Sequence, residues 1–166
     1  MILEIVTYPD ERLAKKCATI PEITPELREL IGHMVETMYE RDGVGLAAPQ
    51  VGETIRLIVV DPTGPKERAA LRVLFNPEIV ERSQETMKSE EGCLSLPGFT
   101  GVVKRHERVT VRAMDENGQE VTIDADDFLA IVLQHEMDHL DGKLLTDHVG
   151  RLKKSIYDKK IKKGQV

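Results

Sequence analysis

Leu27, Leu30, Ile31, Met34, Val35 and Met38 recur three and four residues apart, the period of a helix with one buried face. Thr24-Pro25-Glu26 opens this run. A threonine N-cap with proline at the first helical position sets the start, so the spacing predicts a helix through about Tyr39. The pattern then changes. Thr54–Val60 and Leu71–Phe75 are rich in β-branched residues and stop at Asp61-Pro62 and Asn76-Pro77. Glu78–Arg82 reads as a further short strand. Arg108–Met114 and Glu120–Ala125 flank Asn117-Gly118, a strong hairpin signal. Phe128-Leu129-Ala130-Ile131-Val132-Leu133 is apolar almost all round, as for a helix buried in a domain centre. Asp126 or Asp127 suits its N-cap and Gly142 falls where it ends. The strands cluster and do not alternate with helices. That predicts α+β, with mainly antiparallel β-sheets wrapped around the second, central helix, an N-terminal helix and a C-terminal helix.

Composition narrows the picture. A length of 166 residues fits one domain of ordinary size, and 40% hydrophobic content with 4% aromatic and no Trp makes its core aliphatic. Two cysteines argue against a disulfide-stapled secreted fold. The segment Met1–Val6 has neither a basic nor a long apolar leader pattern, and no run is long enough to span a membrane. A cytoplasmic protein without a membrane partner is the expectation. The net charge of −6 is uneven, because residues 151–166 hold seven Lys/Arg against one Asp. The acidic body argues against DNA binding, whereas the tail can reach phosphates. The plainer reading of that tail is a solvated helix with Leu152, Ile156 and Ile161 facing inward.

The chemistry concentrates at Gln134-His135-Glu136-Met137-Asp138-His139. On a helix, residues four apart share a face. His135 and His139 can therefore present two imidazole nitrogens to one metal ion, with Glu136 beside them as acid/base. A catalytic site of this kind needs a third protein ligand. The position six residues after the second histidine is Leu145, and no Glu follows Glu136. Asp141, Asp147 and His148 have no recognised ligand spacing. Upstream, Cys93 stands out in Glu91-Gly92-Cys93-Leu94-Ser95, while Cys17 reads as a small buried hydrophobe. A thiolate with two imidazoles suits Zn²⁺, Fe²⁺, Co²⁺ or Ni²⁺. A third segment, Gly43-Val44-Gly45-Leu46-Ala47-Ala48-Pro49-Gln50, permits close backbone approach, and Gln50 offers an uncharged N–H₂ donor.

Together, Gly43–Gln50, Glu91–Ser95 and Gln134–His139 closely resemble the three motifs of the peptide deformylases, in order and without mismatch. The resemblance implies that Cys93, His135 and His139 bind the metal and that Glu136 is the general acid/base. It also implies an oxyanion hole from the Gln50 side chain and the Leu94 backbone N–H. Val44, Phe128, Ile131, Val132 and the His135 ring edge would line the methionine pocket. Backbone groups of Val44, Gly45 and Gly92 would pair with an extended peptide. The implied reaction removes the formyl group from N-formyl-methionyl nascent peptides in the bacterial cytoplasm and releases formate. Fe²⁺ would serve in the cell, replaceable by Ni²⁺, Co²⁺ or Zn²⁺. Some relatives carry an Arg five to seven residues after the cysteine, where this chain reads Gly98-Phe99-Thr100-Gly101. Residues 1–150 are expected to form a single catalytic metallohydrolase domain and 151–166 a basic C-terminal helix or tail that touches the ribosome. The competing readings are another H-E-x-x-H metallopeptidase, and a ribosome- or RNA-associated binding module with a structural metal.

Overall fold

Thr24 accepts a hydrogen bond from the Leu27 N–H at 3.2 Å, and behind that cap α1 runs Pro25–Glu40 in a computed structural model covering Met1–Val166. Five strands follow the order β1 (Gly45–Ala47), β2 (Leu57–Val60), β3 (Arg72–Arg82), β6 (Arg108–Met114) and β7 (Glu120–Asp126) in one antiparallel sheet. Between β3 and β6 the chain makes a separate hairpin of β4 (Thr86–Gly92) and β5 (Thr100–His106). A single helical turn, α2 (Gly64–Glu67), joins β2 to β3. The helices α3 (Asp127–Leu140) and α4 (Arg151–Lys162) complete the order. The architecture is α+β with antiparallel sheets and four helices.

Burial explains the pattern of β2. All four of its residues are inaccessible. Leu57 and Val59 pack with Met34, Met38 and Phe75 on the α1 side. Ile58 and Val60 pack with Val109, Val111, Leu133 and Met137 on the α3 side. A strand covered on both faces has no reason to alternate, so it is written as a continuous apolar run. Each such aliphatic side chain contributes about 1.5–3 kcal/mol by leaving water. A third cluster joins Leu96, Phe99 and Val103 of the hairpin to Leu13, Leu145 and Tyr157.

Several elements differ from the sequence reading. The strand expected over Thr54–Val60 begins at Leu57; Ile55 instead forms an isolated bridge with Ala18. The two strands expected on either side of Asn76-Pro77 are one strand, β3, with a register shift between Phe75 and Glu78. Asn76 absorbs the bend at φ +51. Its side-chain amide then pairs with the Ile20 N–H and C=O, both at 2.8 Å. The β6–β7 turn is longer than a two-residue hairpin: only Gly118 has positive φ, and Asp115 Oδ1 accepts from both the Asn117 and Gln119 N–H. Asp126 precedes α3 but makes no side-chain cap. β1 and the β4–β5 hairpin lack any strand expectation. In α4, Leu152 and Ile156 are exposed, at 76% and 48%. Tyr157 faces inward instead, with Ile161 packed against the same cluster.

Candidate active site

The helix α3 carries His135, Glu136 and His139, and the loop after β4 carries Cys93. Their union follows from packing: α3 lies against β1, β2, β6 and β7 of the large sheet and against β5 of the hairpin. One donor atom from each of Cys93, His135 and His139 falls within 4.8 Å of the others. Cys93 Sγ is 3.5 Å from His139 Nε2. His135 turns its Nδ1 to Glu91 Oε1 at 2.9 Å. With the proton held on that side, the Nε2 lone pair is left for a metal. A thiolate, two imidazoles and an open fourth side fit a divalent transition ion.

Charge around this donor set is organised by Glu91. It accepts from Arg105 Nε at 3.0 Å and Nη2 at 2.7 Å, in addition to His135. Burial pushes the Glu91 carboxyl up, but these hydrogen bonds outweigh it and bring its pKa down to about 2. Arg105 also donates Nη1 to Asp138 Oδ2 at 2.7 Å, and His148 Nε2 meets the same oxygen at 2.9 Å. Burial pushes the His139 pKa well below its ordinary value, helped by His135 and Arg105, so its ring is neutral and free to ligate. Burial also pulls down on His135, yet Glu136, Cys93 and Glu91 together hold its pKa well above the usual value. The negative surround that favours a second proton on the His135 ring favours a metal cation in the same place, which would displace that proton on binding.

Glu136 is 5% exposed and its Oε1 has no hydrogen-bond partner. Burial raises its pKa to about 7 despite the nearby His135 and Arg105. A Cβ on Gly45 would sit 2.6 Å from Glu136 Oε2. Glycine is thus required there so that β1 can pass close to the carboxylate. The Gln50 amide is oriented at both ends. Its Oε1 accepts the Ala47 N–H at 3.0 Å, so Nε2 faces Ser95 Oγ at 3.2 Å and Cys93 Sγ at 3.5 Å. The Leu94 N–H has no partner within the chain.

One cleft of about 560 Å³ is lined by Val44, Gly45, Gln50, Gly92, Cys93, Leu94, Phe128, Ile131, Val132, His135 and Glu136. The structure therefore brings together every residue singled out from the sequence except His139, which lies directly behind at the thiol. Phe128 stands at the mouth, 49% exposed. The sequence reading missed Arg41, Ser89 and Pro97 in the cleft wall, and the roles of Glu91 and Arg105 behind it. A usable signal for Arg105 existed. Gly101, Val103 and Arg105 alternate as buried positions of β5, and a cation at such a position needs a buried partner.

A thiolate and two imidazoles beside a buried carboxylate, in a cleft with both polar and apolar walls, define a metal-dependent hydrolase. The family model for polypeptide deformylase matches residues 2–155. A peptide deformylase of Thermodesulfovibrio yellowstonii is 55% identical over 161 residues, covering 97% of each chain. Among solved structures, a peptide deformylase from Legionella pneumophila superposes with TM-score 0.93 at 41% identity, over 99% of this chain and 96% of that one. Another from Ehrlichia chaffeensis, in complex with actinonin, gives TM-score 0.90 at 37% identity, over 98% and 97%. The chain belongs to the polypeptide deformylase family.

Proposed function

We infer that this enzyme hydrolyses the N-terminal formyl amide of formyl-methionyl nascent peptides, yielding formate and a free amine. The observation that carries this reading is the convergence of Cys93, His135 and His139 within 4.8 Å beside the unpartnered Glu136 Oε1. A divalent transition ion held by these three residues supplies Lewis-acid polarisation; Fe²⁺ is the proposed cellular ion, with Ni²⁺, Co²⁺ or Zn²⁺ as substitutes. Glu136 takes a proton from the attacking water and returns it to the departing amine. The Gln50 Nε2 proton that faces Cys93 Sγ turns from the sulfur, and with the Leu94 N–H it donates to the oxygen that becomes negative during attack. Val44, Phe128, Ile131 and Val132 receive the methionine side chain. The free edge of β4 at Gly92 and the Val44–Gly45 backbone pair with the peptide. Within this reading α3 is the central helix that both sheets enclose, and residues 1–150 hold every group given a chemical role. The segment 151–166 is a basic helix proposed to touch the ribosome in the bacterial cytoplasm.

No helix is long and apolar enough to cross a membrane. The deciding experiment compares metal-loaded protein on formyl-Met and unblocked Met peptides. Formate release from the first alone supports the reading; cleavage of internal peptide bonds in the second returns the chain to general metallopeptidases. Actinonin is expected to compete with the formyl peptide for the same cleft.

A further inference from the structure

A second cavity of about 350 Å³ opens on the far side of α3 and shares no lining residue with the hydrolytic cleft. Its walls are the end of β3, the Lys104–His106 stretch of β5 and the C-terminal half of α3. These walls are fixed. Gln134 exchanges hydrogen bonds with the His106 N–H at 2.9 Å and C=O at 2.8 Å, and His106 Nδ1 meets Ser83 O at 2.8 Å. Three carboxylates line the cavity and each already has a cation: Glu78 with Arg112 at 2.6 Å, Asp138 with Arg105 at 2.7 Å and Asp141 with Arg56 at 3.2 Å. Arg82, Lys104 and Lys143 also line it, and none of the three belongs to any ion pair or side-chain hydrogen bond of the chain.

Three unpaired cations around a rigid hollow stand out on a protein of net charge −6. In all, five cations line the cavity against three carboxylates, which leaves two positive charges in excess for an anion to join. A carboxylate offers two oxygens in a plane, whereas a phosphoryl group offers oxygens in several directions, matching donors that arrive from β3, β5 and the loop after α3. We propose that this cavity binds a phosphoryl group, presented either by a free phosphate or by an RNA backbone. The site is independent of the hydrolytic reading, so its failure leaves deformylation untouched.

The test uses the full-length, metal-loaded protein and the triple variant Arg82→Gln/Lys104→Gln/Lys143→Gln, whose replaced side chains are all on exposed residues. Inorganic phosphate is titrated against chloride at equal ionic strength, and a single-stranded RNA decamer is titrated across a salt series. The expected result is at least a tenfold weaker affinity of the variant for one probe or both. Formate release from a short formyl-Met peptide and Tm without ligand should be unchanged. For RNA, the slope of log K against log salt should fall by about 0.7, the single-strand value for the one phosphate that the cavity holds. The variant keeps α4 intact, so any difference belongs to the cavity. Loss with phosphate assigns a free anion; loss with RNA alone assigns a polymer. A charge-keeping Lys104→Arg variant should bind as the parent does. Equal affinity of parent and triple variant for both probes, or binding of neither, overturns the site.

Discussion

At the residue scale, the site depends on two carboxylates in opposite circumstances. Glu91 is held as an anion by Arg105 and His135, whereas Glu136 is buried with one oxygen unmatched. Glu136→Gln keeps the three donor side chains in place and removes the proton acceptor. It should retain metal and lower kcat by about 10²–10⁴-fold; near-parental formate release from a metal-loaded variant would refute the assignment. The cysteines separate cleanly as well. Cys17 is 5% exposed in the aliphatic core, so Cys17→Ala should leave metal content and turnover nearly unchanged. Cys93→Ala should abolish both, as read by metal analysis beside formate release. Gly45 is restrictive because of what it touches. Even alanine would place its methyl against Glu136, so Gly45→Ala should fold yet lose turnover.

At the scale of elements, local spacing made much of the chain readable. The Thr24-Pro25 start of α1 and the His-x-x-x-His face of α3 both depend on neighbours within one helical turn, which a sequence displays directly. The β4–β5 hairpin was not readable, because Thr86–Gly92 contains Lys88, Glu90 and Glu91 where a strand signal needs apolar residues. Glu91 is charged because its partner is Arg105, fourteen positions away and across the hairpin. No periodicity announces such a pair. Asp61, immediately after β2, gives a pH prediction. Burial pushes its carboxyl up, but hydrogen bonds from Thr63 and the Tyr39 hydroxyl (2.6 Å) outweigh this and leave the pKa below the usual range. The folded pKa lies under the unfolded one. Its stabilisation is therefore complete above about pH 4 and is lost as pH falls through the folded value. Asp61→Asn should lower Tm at neutral pH and flatten its fall on the acid side. An acid limb identical to the parent's would exclude this role.

For the whole molecule, α4 ties the C-terminal segment to the rim of the cleft. Tyr157 is 3% exposed, and its hydroxyl donates to the Pro97 carbonyl at 2.8 Å. The Tyr8 hydroxyl reaches Asp158 at 2.7 Å. The sequence set residues 151–166 apart from the catalytic domain as a helix or tail; these contacts tie that segment to the domain. Deleting residues 151–166 should lower stability by roughly 3 kcal/mol or more, since a buried aromatic is lost, and thermal denaturation would register it. Lys159→Gln/Lys160→Gln changes only exposed positions. It should keep peptide turnover while weakening ribosome association, most at low salt and less as salt rises. Indifference of ribosome binding to this pair would reduce α4 to a structural helix.

The donors come from two pieces of the fold that share no strand pairing: the loop closing the β4–β5 hairpin, and α3 behind the large sheet. Arg105 is rooted on β5, clasps Glu91 on β4 and reaches Asp138 on α3. It acts as a rivet through all three plates. The positional tolerance of the thiol relative to the imidazoles is consequently set by a side chain that faces away from the substrate. Stiffness at the reaction centre is an attribute of the joint behind it, and wear at that joint would be felt as play between the jaws.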